Sequence, residues 1–315
     1  MGSARPTVQD TLLRVATDAR LRRAAENRTM SHEIVRRYVA GESISSAMDV
    51  AQWLAARGRA VSVTHLVAEP QDLPGVEKRA KRVRKLIRRL TDAGLTDDGA
   101  ADVSVRLSTF GAGLGGQGRT GARDRLRELT ELGAEHGITL TLEVEDAISP
   151  DVTVEAFHEL RADHPTLGIS LPACLRRTEA DAHDLAGTGA RVRLTKGAAA
   201  AREEGHFTRR SEVDKAYVRA IQPLIEGAGR VVVATHDERL IHLSETLAAH
   251  VGRPRTSMEF QLRYGVRTEK QAEIADRGDT MRIYVPFGED WYPYLARRVA
   301  DSPREILELM RATAF

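Results

Sequence analysis

Apolar residues along this chain fall into two alternating patterns. Short runs of aliphatic and β-branched residues lie at 61–67, 103–107, 138–142, 167–171, 191–194, 231–234, 258–260 and 281–285. Each run has the length and composition of a buried strand. Between them, at 76–94, 121–136, 153–163, 177–187, 211–227, 237–250 and 268–278, apolar residues recur at helical spacing. Strict strand–helix alternation predicts a parallel sheet. Eight such units predict an α/β fold of the (β/α)8 TIM-barrel type. Residues 1–57 read as an N-terminal helical flank, 58–302 as the barrel and 303–315 as a C-terminal helical tail.

Composition narrows this picture only at its edges. The 315 residues are 42% hydrophobic and 29% charged with net charge +2, so no global pull toward nucleic acid is expected. The single cysteine, Cys174, excludes an internal disulfide and fits a reducing cytoplasm. No apolar stretch is long enough to span a bilayer, and the N-terminus has no apolar signal core. A cytoplasmic location is the expectation.

In a (β/α)8 barrel the chemistry sits at the C-terminal ends of the strands. That rule nominates His65, Arg106, Ser108, Glu143, Glu145, Pro172, Lys196, His236, Asp237, Gln261, Arg263 and Tyr284. Any one polar residue there can simply solvate the rim, so the case for chemistry rests on convergence. The stretch 281–301, MRIYVPFGEDWYPYLARRVAD, carries the densest cluster. Its helical part places Tyr294, Arg297 and Arg298 about one turn apart, and two guanidinium forks beside a phenol suit a small carboxylate. A solvated helix face with an Arg297–Asp301 pair is the competing reading.

Three other features point elsewhere less well. GAGLGG at 111–116 has the spacing of a dinucleotide-binding loop, but QGRTG at 117–121 is expected to delay the helix that must receive a pyrophosphate. A mobile loop over the barrel mouth is the better expectation. The basic run KRAKRVRKLIRRL at 78–90 keeps Val83, Leu86, Ile87 and Leu90 on one stripe, as an outer helix with a basic solvent face would. The ten histidines show no metal-ligand spacing, so no metal is expected.

Four segments, in order and at strand ends, carry a family likeness: RLTKGA at 193–198, ATHD at 234–237, MEFQLRYGV at 258–266, and RIYVPFG at 282–288 leading into YLARR at 294–298. LRRTEAD at 175–181 and LEVED at 142–146 add to it. The chain resembles the proline dehydrogenase family in its stand-alone, FAD-dependent form. That resemblance implies oxidation of proline to pyrroline-5-carboxylate, with a hydride passing to flavin N5. It implies that Arg297 and Arg298 hold the substrate carboxylate, supported by Asp301. Tyr284 and Tyr294 would wall the ring. Arg193 and Lys196 would lie near the flavin, Gly197 would permit close approach, and Thr235, His236 and Gln261 would contribute to the FAD site. A quinone is the implied electron acceptor, and the basic helix is the candidate for peripheral membrane contact.

Several positions depart from the family pattern. Arg106 stands for a usual Lys and Glu143 for a usual Asp, which implies that their ion pair persists with altered lengths. Pro172 takes the place of a flavin-contacting Gln, Cys174 that of a Tyr, and Ala199 and Ala200 those of two aromatics. Two alternatives therefore stay open: a divergent flavoenzyme oxidising another amino acid or a C–N or N–N bond, and a flavin-free barrel that binds ligand or runs non-redox chemistry.

Overall fold

A computed structural model describes residues 35–96, 99–145, 148–197 and 205–301, with the side chains of 297–301 outside that description. The eight strands are β1 (Ala60–His65), β2 (Ala101–Arg106), β3 (Thr139–Glu143), β4 (Gly168–Pro172), β5 (Arg191–Thr195), β6 (Val231–Ala234), β7 (Met258–Arg263) and β8 (Thr280–Phe287). They are parallel, follow chain order and close into one barrel. The closing seam pairs Ala60 with Arg282 through His65 with Phe287.

Helix α1 (Ile44–Ala55) precedes β1. The helices after successive strands are α2 (Leu73–Asp92), α3 (Gly115–Glu135), α4 (Pro150–Arg161), α5 (Thr178–Ala186), α6 (Arg210–Glu226), α7 (Glu238–His250), α8 (Thr268–Asp276) and α9 (Trp291–Asp301). All eight expected strands and the seven expected inter-strand helices are present, with ends moved by a few residues. Helix α2 starts earlier than its apolar stripe because Asp72 caps the Gly75 N–H at 2.8 Å and Pro74 sits in the first turn. Helix α1, within the described part of the N-terminal flank, packs on β1 and β8. The expected helix at 303–315 lies outside the described residues.

The glycine-rich segment corrects one expectation. Helix α3 opens at Gly115, so residues 116–121 are helical rather than a loop. Glycine costs about 1 kcal/mol in a helix interior, which made it read as a breaker. Here the helix start presses against the preceding turn: a Cβ at Gly118 would collide with the Gly111 carbonyl and lie 2.9 Å from Leu114 Cβ. Glycine is what lets the turn and the helix meet.

Alternate residues of the strands face two different environments. Val61, Val63, Val103, Val105, Leu140, Leu142, Ile169 and Leu171 join the helices in one continuous apolar core. The intervening residues meet across the barrel axis, because hydrogen bonds join β1, β2, β3, β5 and β8 there. A smaller cluster of Val35, Tyr38, Val39, Val266, Trp291 and Leu295 packs the segment before α1 against α9. The Trp291 indole N–H also donates to Glu42 at 3.2 Å.

Candidate active site

The barrel interior is polar in three tiers. At the lowest, Glu259 accepts from Arg282 Nε at 2.7 Å, Arg191 Nη2 at 3.1 Å and Arg230 Nη1 at 3.1 Å. Burial opposes the charge of Glu259, and the Arg282 and Arg191 guanidiniums outweigh it, holding the carboxyl well below the usual range. In the middle tier Asp102 accepts from Ser62 Oγ at 2.5 Å and Thr141 Oγ1 at 2.6 Å.

The uppermost tier faces the C-terminal ends of the strands. Arg193 Nη2 donates to Glu143 Oε1 at 2.7 Å, and the Tyr284 hydroxyl donates to the same oxygen at 3.1 Å. The Arg193 guanidinium carbon lies 5.5 Å from the Tyr284 ring centroid. Burial first, then the Glu143 charge, pushes the Tyr284 hydroxyl well above the ordinary phenol range, and nearby Tyr294 adds to the effect. Tyr284 is therefore a neutral hydrogen-bond donor at physiological pH.

A second group sits beside it on the rim of β1 to β3. Arg106 lies 3.6 Å from both Glu69 and Glu145 and donates to the Val67 carbonyl at 3.1 Å. Glu145 also takes the Ser108 hydroxyl and its backbone N–H. Burial, against the pull of Arg106 and Ser108, pushes its carboxyl up to about 7. The expected Arg106–Glu143 ion pair is thus replaced. Arg106 and Glu143 are neighbours across β2 and β3, but the arginine fork reaches outward to Glu69 and Glu145. Glu143, a methylene longer than aspartate, reaches Arg193.

The remaining expected site residues are distributed around the same end of the barrel. Lys196 is engaged by Asp214 and by Asp237 at 3.5 Å. His236 Nε2 accepts from the Arg263 backbone at 3.1 Å, and Thr235 Oγ1 accepts from the Asp237 backbone at 3.1 Å. Pro172 ends β4 with its carbonyl taken by the Thr178 hydroxyl at 2.6 Å. Gly197, at φ +71, packs against it: a Cβ there would meet Cys174 Sγ and Pro172 Cβ at 2.9 Å. Gln261 is buried with Oε1 unpartnered, and Arg193 Nε and the Tyr294 hydroxyl are likewise unpartnered among the described residues. Arg297 and Arg298 are on α9, with side chains outside the description, as is Asp301; Ala199 and Ala200 also lie outside the described residues.

Sequence reasoning missed Ser62, Asp102, Ser104 and Thr141, which support the upper tier from below. Their signal is the alternation of polar residues at 62 and 64, at 102, 104 and 106, and at 141 and 143. That is the mark of a strand with one polar face inside a closed barrel.

A closed parallel barrel with a converging polar cluster at the C-terminal strand ends defines an enzyme-type (β/α)8 scaffold. The chain matches the proline dehydrogenase family profile over residues 21–302, and it belongs to that family. A proline dehydrogenase of Deinococcus radiodurans is 33% identical over 276 residues, covering 86% of this chain and 87% of the relative. Proline dehydrogenase 2 of Bacillus subtilis is 28% identical over 268 residues, covering 85% and 86%. Among solved structures, proline utilization A of Bdellovibrio bacteriovorus inactivated by N-propargylglycine shares the fold with a TM-score of 0.80 at 23% identity. That alignment covers 94% of this chain and 35% of the larger protein.

Proposed function

We propose that this chain oxidises the C–N bond of proline to pyrroline-5-carboxylate with FAD as the hydride acceptor, and that residues 58–302 form the catalytic unit. The family membership supports the reaction, and the observation that carries it in the site is the sharing of one Glu143 oxygen by Arg193 and Tyr284. The residues fit a flavin in one testable respect. A buried guanidinium N–H, Arg193 Nε, and the buried carboxamide oxygen Gln261 Oε1 both lack partners among the described residues. A donor and an amide at a barrel mouth match a heterocycle with both acceptor and donor edges.

Arg193, Gln261, Thr235, His236, Pro172 and Gly197 would hold the cofactor, which when bound supplies the two-electron acceptor. Lys196 would add positive charge from within its pairing with Asp214 and Asp237. Arg297 and Arg298 would grip the substrate carboxylate from α9, while Tyr284 and Tyr294 wall its ring. The Tyr284 hydroxyl keeps its proton, so it positions rather than deprotonates. Glu143 fixes both Tyr284 and Arg193, so the wall and the cofactor-facing cation share one anchor. Arg106 with Glu145 would close the rim beside them. The electrons would pass on to a quinone, with α2 as the surface for peripheral membrane contact; no helix of the described residues is long and apolar enough to cross a membrane.

The test is the visible spectrum of the purified protein together with dye-coupled turnover of proline, hydroxyproline, pipecolate and N-substituted amino acids. Oxidised-flavin absorbance and fastest turnover of proline are expected. Absence of flavin, with none taken up on reconstitution, overturns the proposal. Faster turnover of another amine would favour a divergent substrate, a reading that Pro172 at the place of a Gln supports. Arg297→Lys should weaken substrate binding by ~2–3 kcal/mol through loss of bidentate geometry, and an unchanged KM would count against its role.

A further inference from the structure

We propose that Asp102 is a positioning residue that sets the direction and the effective charge of the Arg193 guanidinium. The inference rests on the flavin reading above, because Arg193 is taken to face the cofactor.

Asp102 is fully buried and sits between two arginines. Below it, Thr141 Oγ1 accepts from Arg191 Nη1 at 2.7 Å and donates to Asp102 Oδ1 at 2.6 Å. Above it, Arg193 Nη1 donates to Ser104 Oγ at 2.8 Å and to Ser62 Oγ at 3.3 Å, and the two serine oxygens are 3.0 Å apart. Ser62 then donates to Asp102 Oδ2 at 2.5 Å. One proton arrangement satisfies all of these contacts. Arg193 gives to Ser104, Ser104 gives to Ser62, and Ser62 gives to Asp102. Every donor in that chain points toward the carboxylate, so each bond polarises the next in a low-dielectric interior. Direct approach is longer, 4.0 Å from Arg193 Nη1 to Asp102 Oδ2.

The consequence for Arg193 is geometric and electrostatic. Its Nη2 is held by Glu143 and its Nη1 by the serine relay, so two anchors fix the plane of the group. Its remaining donor, Nε, is the one without a partner. The relay therefore aims Nε, and the Asp102 charge moderates how much positive field Arg193 presents. Removing that charge should favour an anionic reduced ring and raise the flavin reduction potential.

The experiment measures the flavin midpoint potential of the holoenzyme, with thermal stability in parallel, for wild type, Asp102→Asn and Ser62→Ala. The wild-type spectrum separates the two ideas: a protein that takes up no flavin defeats the functional reading, whereas the positioning role is judged only on flavin-loaded protein. Asp102→Asn is expected to raise the reduced-to-oxidised ratio at fixed potential at least tenfold, about 30 mV for a two-electron couple. Ser62→Ala keeps the charge but cuts the relay, and is expected to shift the potential in the same direction by less. It also serves if Asp102→Asn does not fold. Flavin-loaded variants with lowered stability and an unmoved potential would show that Asp102 is only structural and overturn the proposal.

Discussion

On the outer face of the barrel wall, Val103, Val105, Leu140 and Leu142 pack beneath helices, while on the inner face Asp102, Ser104, Thr141 and Glu143 of the same strands carry charge and hydroxyls. The interior of a (β/α)8 barrel is ordinarily filled by branched aliphatic side chains. Here Asp102, Glu143 and Glu259 are met inside by Arg191, Arg193 and Arg282. The outer layer is held by burial, which tolerates small shifts. The inner layer is held by counter-charges in a buried space, where a missing partner leaves a charge uncompensated. Stability and site geometry are thus entrusted to different faces of one wall.

Removing one member of the inner layer should do the most damage. Glu259→Ala strips the counter-charge from Arg282 and Arg191, and a loss of ~3–5 kcal/mol in urea unfolding is expected. A loss below ~1 kcal/mol would mean that water reaches the lower tier. On the outer face, Leu126→Ala, at a fully buried position of α3, should cost ~2–5 kcal/mol by cavity formation. That variant is expected to leave the substrate KM unchanged, because Leu126 belongs to the apolar core and not to the polar tiers inside the barrel.

The pH dependence sharpens the same contrast at the rim. Glu145 keeps its proton up to about 7 in the fold, against ~4.3 when unfolded. The folded state then binds the extra proton, so this group's contribution falls as pH rises through that window, by up to ~4 kcal/mol. His65 runs the other way. Burial, then Arg82, Arg106 and Arg79, lower its pKa to about 3. Its contribution is lost as pH falls from the unfolded value of ~6.5 toward 3. Between about pH 4.5 and 6.5 the two slopes oppose. Glu145→Gln should expose a rise of stability with pH across that range that the wild type lacks. The smallest effect belongs to a solvated pair: Arg219→Ala, which breaks a 2.6 Å contact to Glu179 with both partners exposed, should cost only ~0.2–1 kcal/mol.

These two faces were not equally legible in the sequence. The outer face writes itself as apolar runs and helical stripes, so all eight strands and the order of the helices could be read directly. The inner face is written as single polar residues spaced by two, and each looks like rim solvation until closure of the barrel brings it opposite its partner. Asp102 and Ser62 are 40 positions apart, and no local pattern links them. Arg106 and Glu143 were legible as strand-end residues, but the pairing expected between them is not the one the fold makes, because side-chain length decides which carboxylate each arginine reaches. Gly118 misled for the opposite reason, since its local propensity against helix yields to a tertiary contact.

The seam between β1 and β8 has a consequence for how the chain comes to be folded. Arg282 Nη1 donates to the Val61 carbonyl across 221 positions of sequence. Until residues near 282 have left the ribosome, the first strand has no partner on that side. A nascent chain therefore carries a bare strand edge for most of its synthesis, from the appearance of β1 until β8 arrives. Such edges recruit other chains. Yield in the cell should thus depend on how quickly the last strand arrives, and a chain cut before β8 would be an aggregation-prone sheet rather than a smaller enzyme.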